Sequence, residues 1–265
     1  MKHRLSFTIF VLVGALMAMQ PVDAFAKAKK RRVLPGGIVF PNLNEAATVN
    51  PATLKTQKGQ AVQALYAPPL ESGTTAHDYT LSFASVSKDF GLGAGYTGTY
   101  DSAASTQLTH GAFVGGGFST GSFGFGVALK ETDLSDNTSA QLDLGFNFGL
   151  GKAMKLSAVV RDITTASRTA EVGIGYEKAG VFNLELNVAT PTFDNLGTTN
   201  YVPSLIGGIY AGMFGAAWKT SYNISTDTFT NRATGLISLS DSLDITISVE
   251  MATVRTYTFG VTIGF

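Results

Sequence analysis

The last ten residues, TYTFGVTIGF (256–265), alternate strictly between apolar side chains and threonine or glycine. The apolar row consists of Tyr257, Phe259, Val261, Ile263 and Phe265. Alternation with a period of two predicts a β-strand with one apolar face. Such a strand fits the core of a soluble sheet, or a barrel with lipid on one side and a polar lumen on the other.

The composition of the whole chain favours the barrel. Of its 265 residues, 45% are hydrophobic and 14% are charged, whereas about 25% are charged in soluble domains. A water-exposed surface so poor in charge would tend to associate, and a lipid-facing surface needs no charge. The formal net charge is zero, so nothing indicates a nucleic-acid partner. With no cysteine there is no disulfide framework.

Residues 1–26 are predicted to be a secretory signal peptide. A basic start, MKHR, precedes the apolar run LSFTIFVLVGALMAM (5–19), and small residues follow at Ala24 and Ala26. An uncleaved anchor is the alternative. The basic run KAKKRR (27–32) is either a solvated tail or a segment that binds anionic lipid. Since no later stretch could form a membrane helix, we expect export to the outer membrane of a Gram-negative cell as a β-barrel.

Residues 61–265 are predicted to form an antiparallel transmembrane barrel of fourteen strands. Tight connections fall at 87–89, 120–122, 151–153, 178–180, 211–213 and 240–242. Longer ones alternate with them, at 67–78, 101–106, 131–137, 162–168, 190–200, 224–230 and 252–254. Short turns are periplasmic and long loops external in such barrels, so both ends of the barrel segment fall on the periplasmic side. Strand 1, near 61–67, has the weakest pattern, and twelve strands is the alternative.

The inner face is expected to carry glycine and charge. The glycines are at 91, 93, 95, 124, 126, 145, 173, 175, 215 and 235. The charged residues expected to face the lumen are Lys130, Asp143, Lys155, Arg161, Glu171, Glu185, Lys219, Asp244 and Glu250. They either line a pore and hold an internal segment, or neutralise one another across strands. Glycine weakens strands, so Gly91, Gly93 and Gly95 mark a candidate lateral exit.

The tyrosines and the tryptophan of the barrel segment are expected in the two girdles of aromatic residues at the membrane–water interfaces. These candidates are Tyr66, Tyr79, Tyr96, Tyr100, Tyr176, Tyr201, Tyr210, Tyr222, Tyr257 and Trp218. Their predicted role is structural.

Residues 27–60 are not strand-like, because Pro35, Pro41 and Pro51 interrupt regular hydrogen bonding. The segment is nevertheless too apolar for a free tail. Fourteen strands enclose more space than their own side chains fill. We therefore expect this segment to lie inside the barrel as a hatch.

The stretch NEAATVNPATL (44–54) resembles the N-terminal motif of the FadL-type outer-membrane transporters, with Asn50, Pro51 and Ala52 at its centre. This resemblance implies a fourteen-stranded barrel with an N-terminal hatch. It also implies passive uptake of small hydrophobic compounds of the fatty-acid or aromatic-hydrocarbon class. The terminal strand 257–265 is similar to the C-terminal signal that the barrel-assembly machinery reads. A general diffusion porin and a structural barrel without transport remain alternatives.

No arrangement of residues indicates an enzyme or a cofactor. His77 and His110 are the histidines outside the predicted signal peptide, and neither has a serine and an orienting acid in a recognisable pattern. The glycine-rich runs lie inside strands, not at strand-to-helix turns, so they do not indicate a phosphate loop. Clusters of metal ligands are also lacking. The expected partners are outer-membrane lipid, the assembly machinery and a small hydrophobic ligand.

Overall fold

The computed structural model describes residues 34–56, 59–69, 75–88, 90–104, 106–134, 140–165, 168–178, 180–190, 201–252 and 255–265. The predicted signal peptide, 1–26, and the basic run, 27–32, lie outside the described residues.

The described residues form a closed barrel of fourteen antiparallel strands, as the alternating connections predict. In chain order they are β1 Gln60–Ala67, β2 Ala76–Val86, β3 Phe90–Asp101, β4 Thr106–Thr120, β5 Phe123–Glu131, β6 Ala140–Leu150, β7 Met154–Arg161, β8 Thr169–Lys178, β9 Phe182–Thr190, β10 Val202–Ala211, β11 Phe214–Asn223, β12 Thr228–Ser238, β13 Leu243–Met251 and β14 Arg255–Gly264. Each strand pairs with its sequence neighbours, and β1 pairs with β14.

The seam between β1 and β14 decides the strand count. Its register runs from Ala61 opposite Gly264 to Tyr66 opposite Phe259. The strand with the weakest sequence pattern is therefore the one that closes the barrel, and the twelve-strand alternative is wrong. Closure matters energetically because it leaves no unpaired sheet edge.

Side chains alternate between an apolar outer face and a polar or glycine-rich inner face. In β14, Phe259, Val261 and Ile263 are exposed, and Thr262 between them is buried. The predicted apolar row of the last strand therefore points outward. Several tight turns contain a glycine with positive φ, including Gly151 and Gly212, a conformation that glycine adopts without a steric penalty.

Two residues lie on the opposite face from the one that the pattern indicated. Gly235 is exposed on the outside, because its neighbours Thr234 and Leu236 are the buried residues of β12. Tyr210 lies inside the barrel, where it packs against a cluster formed by Leu34, Ala217 and Leu236. Tyr210 is therefore not a girdle residue.

We call the rim with the tight connections the turn end, and the opposite rim the loop end. Rings on the outer face of β1–β4 form two groups in the half nearer the loop end. Tyr66, His77 and Tyr100 are in contact, and His110 stacks on Tyr96, which also contacts Tyr79.

Residues 34–56 lie inside the barrel, and we call them the plug. The plug begins near the turn end, where Leu34 packs against β11 and β12. It includes the short helix α1, Ala46–Val49, and the 3-10 helix Pro51–Thr56. The chain returns to the turn end at Gly59, whose carbonyl accepts from Val86 N–H at the end of β2. Among the described residues, no helix has the length and apolar character needed to cross a membrane.

Candidate functional site: the plugged lumen

The plug fills the turn-end half of the lumen and packs against wall glycines. A Cβ built on Gly117 or Gly126 would overlap the plug backbone at Pro51 and Ala52. Gly91 faces Leu54, and Gly175 faces Phe40 in the same way. At Gly91, Gly117 and Gly126 glycine is required because the plug backbone approaches closely, whereas at Gly175 the side chains of Val39 and Phe40 take the space.

The plug is also the most apolar part of the interior. Its completely buried apolar side chains form clusters with the wall, as Leu43, Ala47 and Leu54 do with Phe113 of β4. Burial of such side chains stabilises the packed state by about 25 cal/mol per Å² of apolar surface.

Asn50 lies at the centre of the plug and is completely buried. Its Nδ2 donates to the carbonyl of Ile38 at 2.9 Å and to that of Phe146 in β6 at 3.3 Å. Its Oδ1 accepts from Ala52 N–H at 3.1 Å. The backbone of Asn50 is extended, as a residue before proline requires. The motif residues Asn50, Pro51 and Ala52 thus link the first arm of the plug, residues 34–45, to the second arm, residues 50–56, and to the wall.

Glu185 of β9 holds the first arm of the plug. This carboxylate is completely buried and accepts three backbone hydrogen bonds, from Gly37, Val39 and Phe40, each at 3.1 Å. Hydrogen bonds to a charged acceptor are stronger than neutral ones. Since the plug has no regular sheet partner here, Glu185 satisfies backbone donors that would otherwise be buried without an acceptor.

Asn44 fixes the plug on the opposite side of the barrel. Its Nδ2 donates to the carbonyl of Ala61 in β1 at 3.1 Å and to that of Ser82 in β2 at 3.3 Å. The plug is therefore held by polar contacts to β1, β2, β6 and β9, in addition to its apolar packing.

Two wall cations contact the end of helix α1. Lys130 Nζ and Arg161 Nη1 each donate to the Thr48 carbonyl at 2.9 Å, and Arg161 Nη2 donates to the Val49 carbonyl at 3.1 Å. Both carbonyls belong to the last turn of α1, where orphan acceptors need partners.

Carboxylates neutralise these two cations. Lys130 is paired with Asp143, and Arg161 lies 3.8 Å from Asp143 and 3.2 Å from Glu171. These lumen charges therefore neutralise one another across strands and, at the same time, hold the internal segment.

Above the plug, towards the loop end, the described residues line two cavities of the lumen, with helix α1 between them. Each has a volume of about 330 Å³. The first, which we call the cationic cavity, lies against β7, β8 and β10–β12 and includes Arg161, Lys219 and Arg232. The second, the threonine cavity, lies against β1–β5 and includes Thr80, Thr97 and Phe113. Glu45 and Thr48 contact both.

Glu45 brings a negative charge to the boundary between the cavities. Burial raises the pKa of its carboxyl above the ordinary value of 4.5, and the positive charges of Arg232 and Lys219 act in the opposite direction. The effect of burial is the larger of the two, so the cations compensate only part of the cost of placing this carboxylate inside the barrel.

The remaining charged residues predicted for the lumen have different surroundings. Lys155 lies over the Phe40 ring, with Nζ 5.3 Å from the ring centroid. Asp244 is buried, and Glu250 is exposed near the loop end of β13. Lys219 lines the cationic cavity.

The three glycines proposed as a lateral exit lie in a continuous sheet. β3 pairs with β2 without interruption, from Gly91 opposite Val86 to Asp101 opposite Ala76. Its register with β4 is irregular only between Thr99 and Tyr100, near the loop end. Space beside Gly91 and Gly93 is taken by plug residues, and the space beside Gly95 by Phe113.

Sequence reasoning missed Arg232, Glu45 and Asn44. Alternation in TFTNRATGLIS (228–238) puts Arg232 on the same face as the buried Thr234, so strand parity would have found it. Asn44 and Glu45 belong to the stretch 44–54 quoted above, but the sequence does not give their contacts, because the plug has no repeating pattern.

Within the described part of the chain, no group of three or more histidine, cysteine or acidic residues could hold a metal ion.

No protein-family model matches the chain, and no curated protein matches it. A triple variant of the Rhodopseudomonas blastica porin is similar in structure, with a TM-score of 0.48 and 10% identity, over 78% of this chain and 98% of the porin chain. A structure of engineered proteins with asymmetric conductivity gives a TM-score of 0.49 with the same identity and coverage. Likeness of this degree concerns the barrel shape alone and says nothing about what passes through it.

Proposed function

We propose that this chain is a Gram-negative outer-membrane barrel for passive uptake of small hydrophobic compounds, with the plug as its gate. The apolar outer face supports a membrane location, since the exposed residues of β14 alone include Phe259, Val261 and Ile263. Short turns are periplasmic in such barrels, which places the turn end and both ends of the plug on the periplasmic side.

The observation that carries the proposal is the division of the lumen along its axis. The loop-end half contains two cavities, and the turn-end half contains the buried plug. A compound that enters from the loop end would reach a cavity directly and could continue only if the plug moves. A general diffusion porin, in contrast, needs a water-filled lumen along its whole length.

The cavities favour a small cargo with apolar surface. Leu65 and Phe113 contribute apolar walls to the threonine cavity, and Ile38, Val49 and Ile206 do so in the cationic cavity. The resemblance of residues 44–54 to the FadL-type motif supports the same cargo class. We propose outer-membrane lipid and the barrel-assembly machinery as the other partners, and no enzymatic activity.

A reversible lock on the plug tests the gate. The chain has no cysteine, and a Cβ on Gly115 of β4 would lie 3.2 Å from the Cβ of Ala47 in α1, close to the spacing of a disulfide. The double variant Ala47→Cys, Gly115→Cys would therefore fasten the plug to the wall. Gly115 is also 3.2 Å from the Cβ of Ala128, its partner in β5. Gly115→Cys, Ala128→Cys is thus a matched control that links two wall strands and leaves the plug free.

The assay is uptake of radiolabelled toluene, with glycerol as the polar comparison, by Gram-negative cells that express each variant. We expect the oxidised plug lock to abolish toluene uptake and reduction to restore it, with no such effect in the wall-strand control. Equal toluene uptake in the oxidised and reduced states of the plug lock would contradict the proposal that the plug is the gate. Glycerol uptake in every state would favour the diffusion porin, and uptake equal to that of cells without the protein would favour a structural barrel.

A further inference from the structure

The cationic cavity contains two adjacent positive side chains. Lys219 in β11 and Arg232 in β12 are register partners, and both line the cavity. Within the described part of the chain, neither makes an ion pair or a hydrogen bond with another residue. Two other lumen cations, Lys130 and Arg161, are both paired with carboxylates.

The charges around this cavity do not balance. Its lining includes three cations, Arg161, Lys219 and Arg232, and two carboxylates, Glu45 and Glu171. Glu171 is already paired with Arg161, which leaves Glu45 as the carboxylate of the lining that faces Lys219 and Arg232. Glu250 lies opposite Arg232 in β13, outside the lining and without an ion pair to it. Two neighbouring cations repel each other, and an anion between them relieves this repulsion.

We propose that Lys219 and Arg232 bind the carboxylate of a small organic anion whose compact apolar part rests on the plug and β10. The proposal rests on the function proposed above and identifies compact carboxylates as one class of its cargo. An arginine guanidinium can donate two parallel hydrogen bonds to one carboxylate, and the lysine ammonium adds a third contact.

The size and walls of the cavity define the rest of the ligand. A volume of about 330 Å³ corresponds to about ten water molecules, which suits a single ring or a short branched chain. Ile38, Val49 and Ile206 supply apolar contacts. An inorganic oxyanion would use the two cations and leave these apolar walls facing water, so a compact organic carboxylate fits both parts of the cavity.

Glu45 would compete with the ligand for the same two cations. Its position between the cavities lets its charge attract Lys219 and Arg232 when no ligand is bound. Replacement of Glu45 by glutamine should therefore strengthen anion binding, whereas loss of either cation should weaken it.

The test is isothermal titration calorimetry on the full chain in detergent at pH 7.5. The probes are sodium benzoate, benzyl alcohol and inorganic phosphate. We expect benzoate to bind at least tenfold more tightly than the other two. Lys219→Gln and Arg232→Gln should each reduce benzoate affinity at least tenfold, and Glu45→Gln should increase it. Lys152→Gln, in an exposed turn, is the control and should have no effect.

A further variant, Arg232→Lys, distinguishes loss of binding from loss of folding. It keeps the positive charge and should retain part of the benzoate affinity that Arg232→Gln loses. The proposal is overturned if benzoate does not bind, if it binds no better than benzyl alcohol or phosphate, or if the glutamine variants bind as well as the original chain. Because calorimetry needs no plug movement, the anion site can fail while toluene uptake persists. Likewise, uptake can fail while benzoate still binds.

Discussion

The two halves of the lumen contrast in composition and in how they are filled. In the turn-end half, wall glycines such as Gly117 and Gly126 meet the plug backbone directly. In the loop-end half, Lys219 and Arg232 border a cavity. The same barrel wall is therefore a packing surface along one half of its length and an open, charged surface along the other.

This difference shows which interactions could close the barrel. The plug has little regular structure, so it is held by side chains of the wall that bond to its backbone, chiefly Glu185, Lys130 and Arg161. Glycine allows the close approach that makes these bonds and the apolar packing possible. Changes on the packed side should alter stability and closure, and changes on the open side should alter binding.

The largest effect is expected from Glu185→Gln. An amide loses the charge and can no longer accept all three plug N–H donors, so we expect a stability loss of about 2–4 kcal/mol. Urea unfolding followed by circular dichroism measures the loss. Glu250→Gln is the control, because Glu250 is an exposed carboxylate of the wall. Equal stability of the two variants would mean that Glu185 does not hold the plug.

Gly126→Ala should come next. A Cβ there would overlap Ala52 and Pro51, and overpacking of this kind costs about 1–3 kcal/mol. Because the plug backbone must shift, we also expect conductance steps in planar bilayers. Gly235→Ala adds the same methyl group where nothing lies within 4 Å and should leave both properties unchanged. If Gly126→Ala remains silent and fully stable, the close glycine contact is not needed for closure.

Arg161→Met should have a smaller and more local effect. It removes the donors to the Thr48 and Val49 carbonyls, while Lys130 still donates to Thr48. We expect a loss of about 1–2 kcal/mol and faster hydrogen exchange in a peptide that covers α1. Lys88→Met, at an exposed turn, is the comparison, and identical exchange in both variants would contradict the role given to Arg161.

The smallest effect is expected from Glu45→Gln and depends on pH. Because the pKa of Glu45 is raised above 4.5 by burial, the folded chain holds this proton in a pH range where the unfolded chain has released it. The free energy of unfolding should therefore fall as pH rises through that range. Glu45→Gln removes this cost, so it should melt at a higher temperature than the original chain at pH 7 and at the same temperature well below pH 4.5. A lower melting temperature at pH 7 would mean that its attraction to Arg232 and Lys219 outweighs burial.

The barrel could be predicted from the sequence because strand alternation and turn spacing are local signals. The seam was harder, since β1 is short and its pairing with β14 joins the two ends of the barrel. The predicted face was wrong for Tyr210 and Gly235, because the size of a side chain does not by itself decide whether it points outward or into the lumen. A tyrosine can satisfy an inward position beside Leu34 as well as an interface.

The internal contacts were less accessible. The hatch position follows from composition and from the space inside fourteen strands, but its partners do not. Glu185 has the same alternating neighbours as other wall carboxylates, and only the fold brings it to Gly37, Val39 and Phe40. Similarly, the lack of an ion pair at Lys219 and Arg232 depends on the three-dimensional positions of the described carboxylates in the lumen, including Glu45 and Glu250.

The central claim is that residues 34–56 close the lumen. Single-channel conductance in a planar bilayer tests it most directly, on the intact chain and on a variant that lacks these residues. We expect the intact chain to be silent and the shortened one to conduct in discrete steps, because removal of the plug would open the turn-end half. Large steps from the intact chain, equal to those of the shortened one, would contradict the account and make this barrel an open pore.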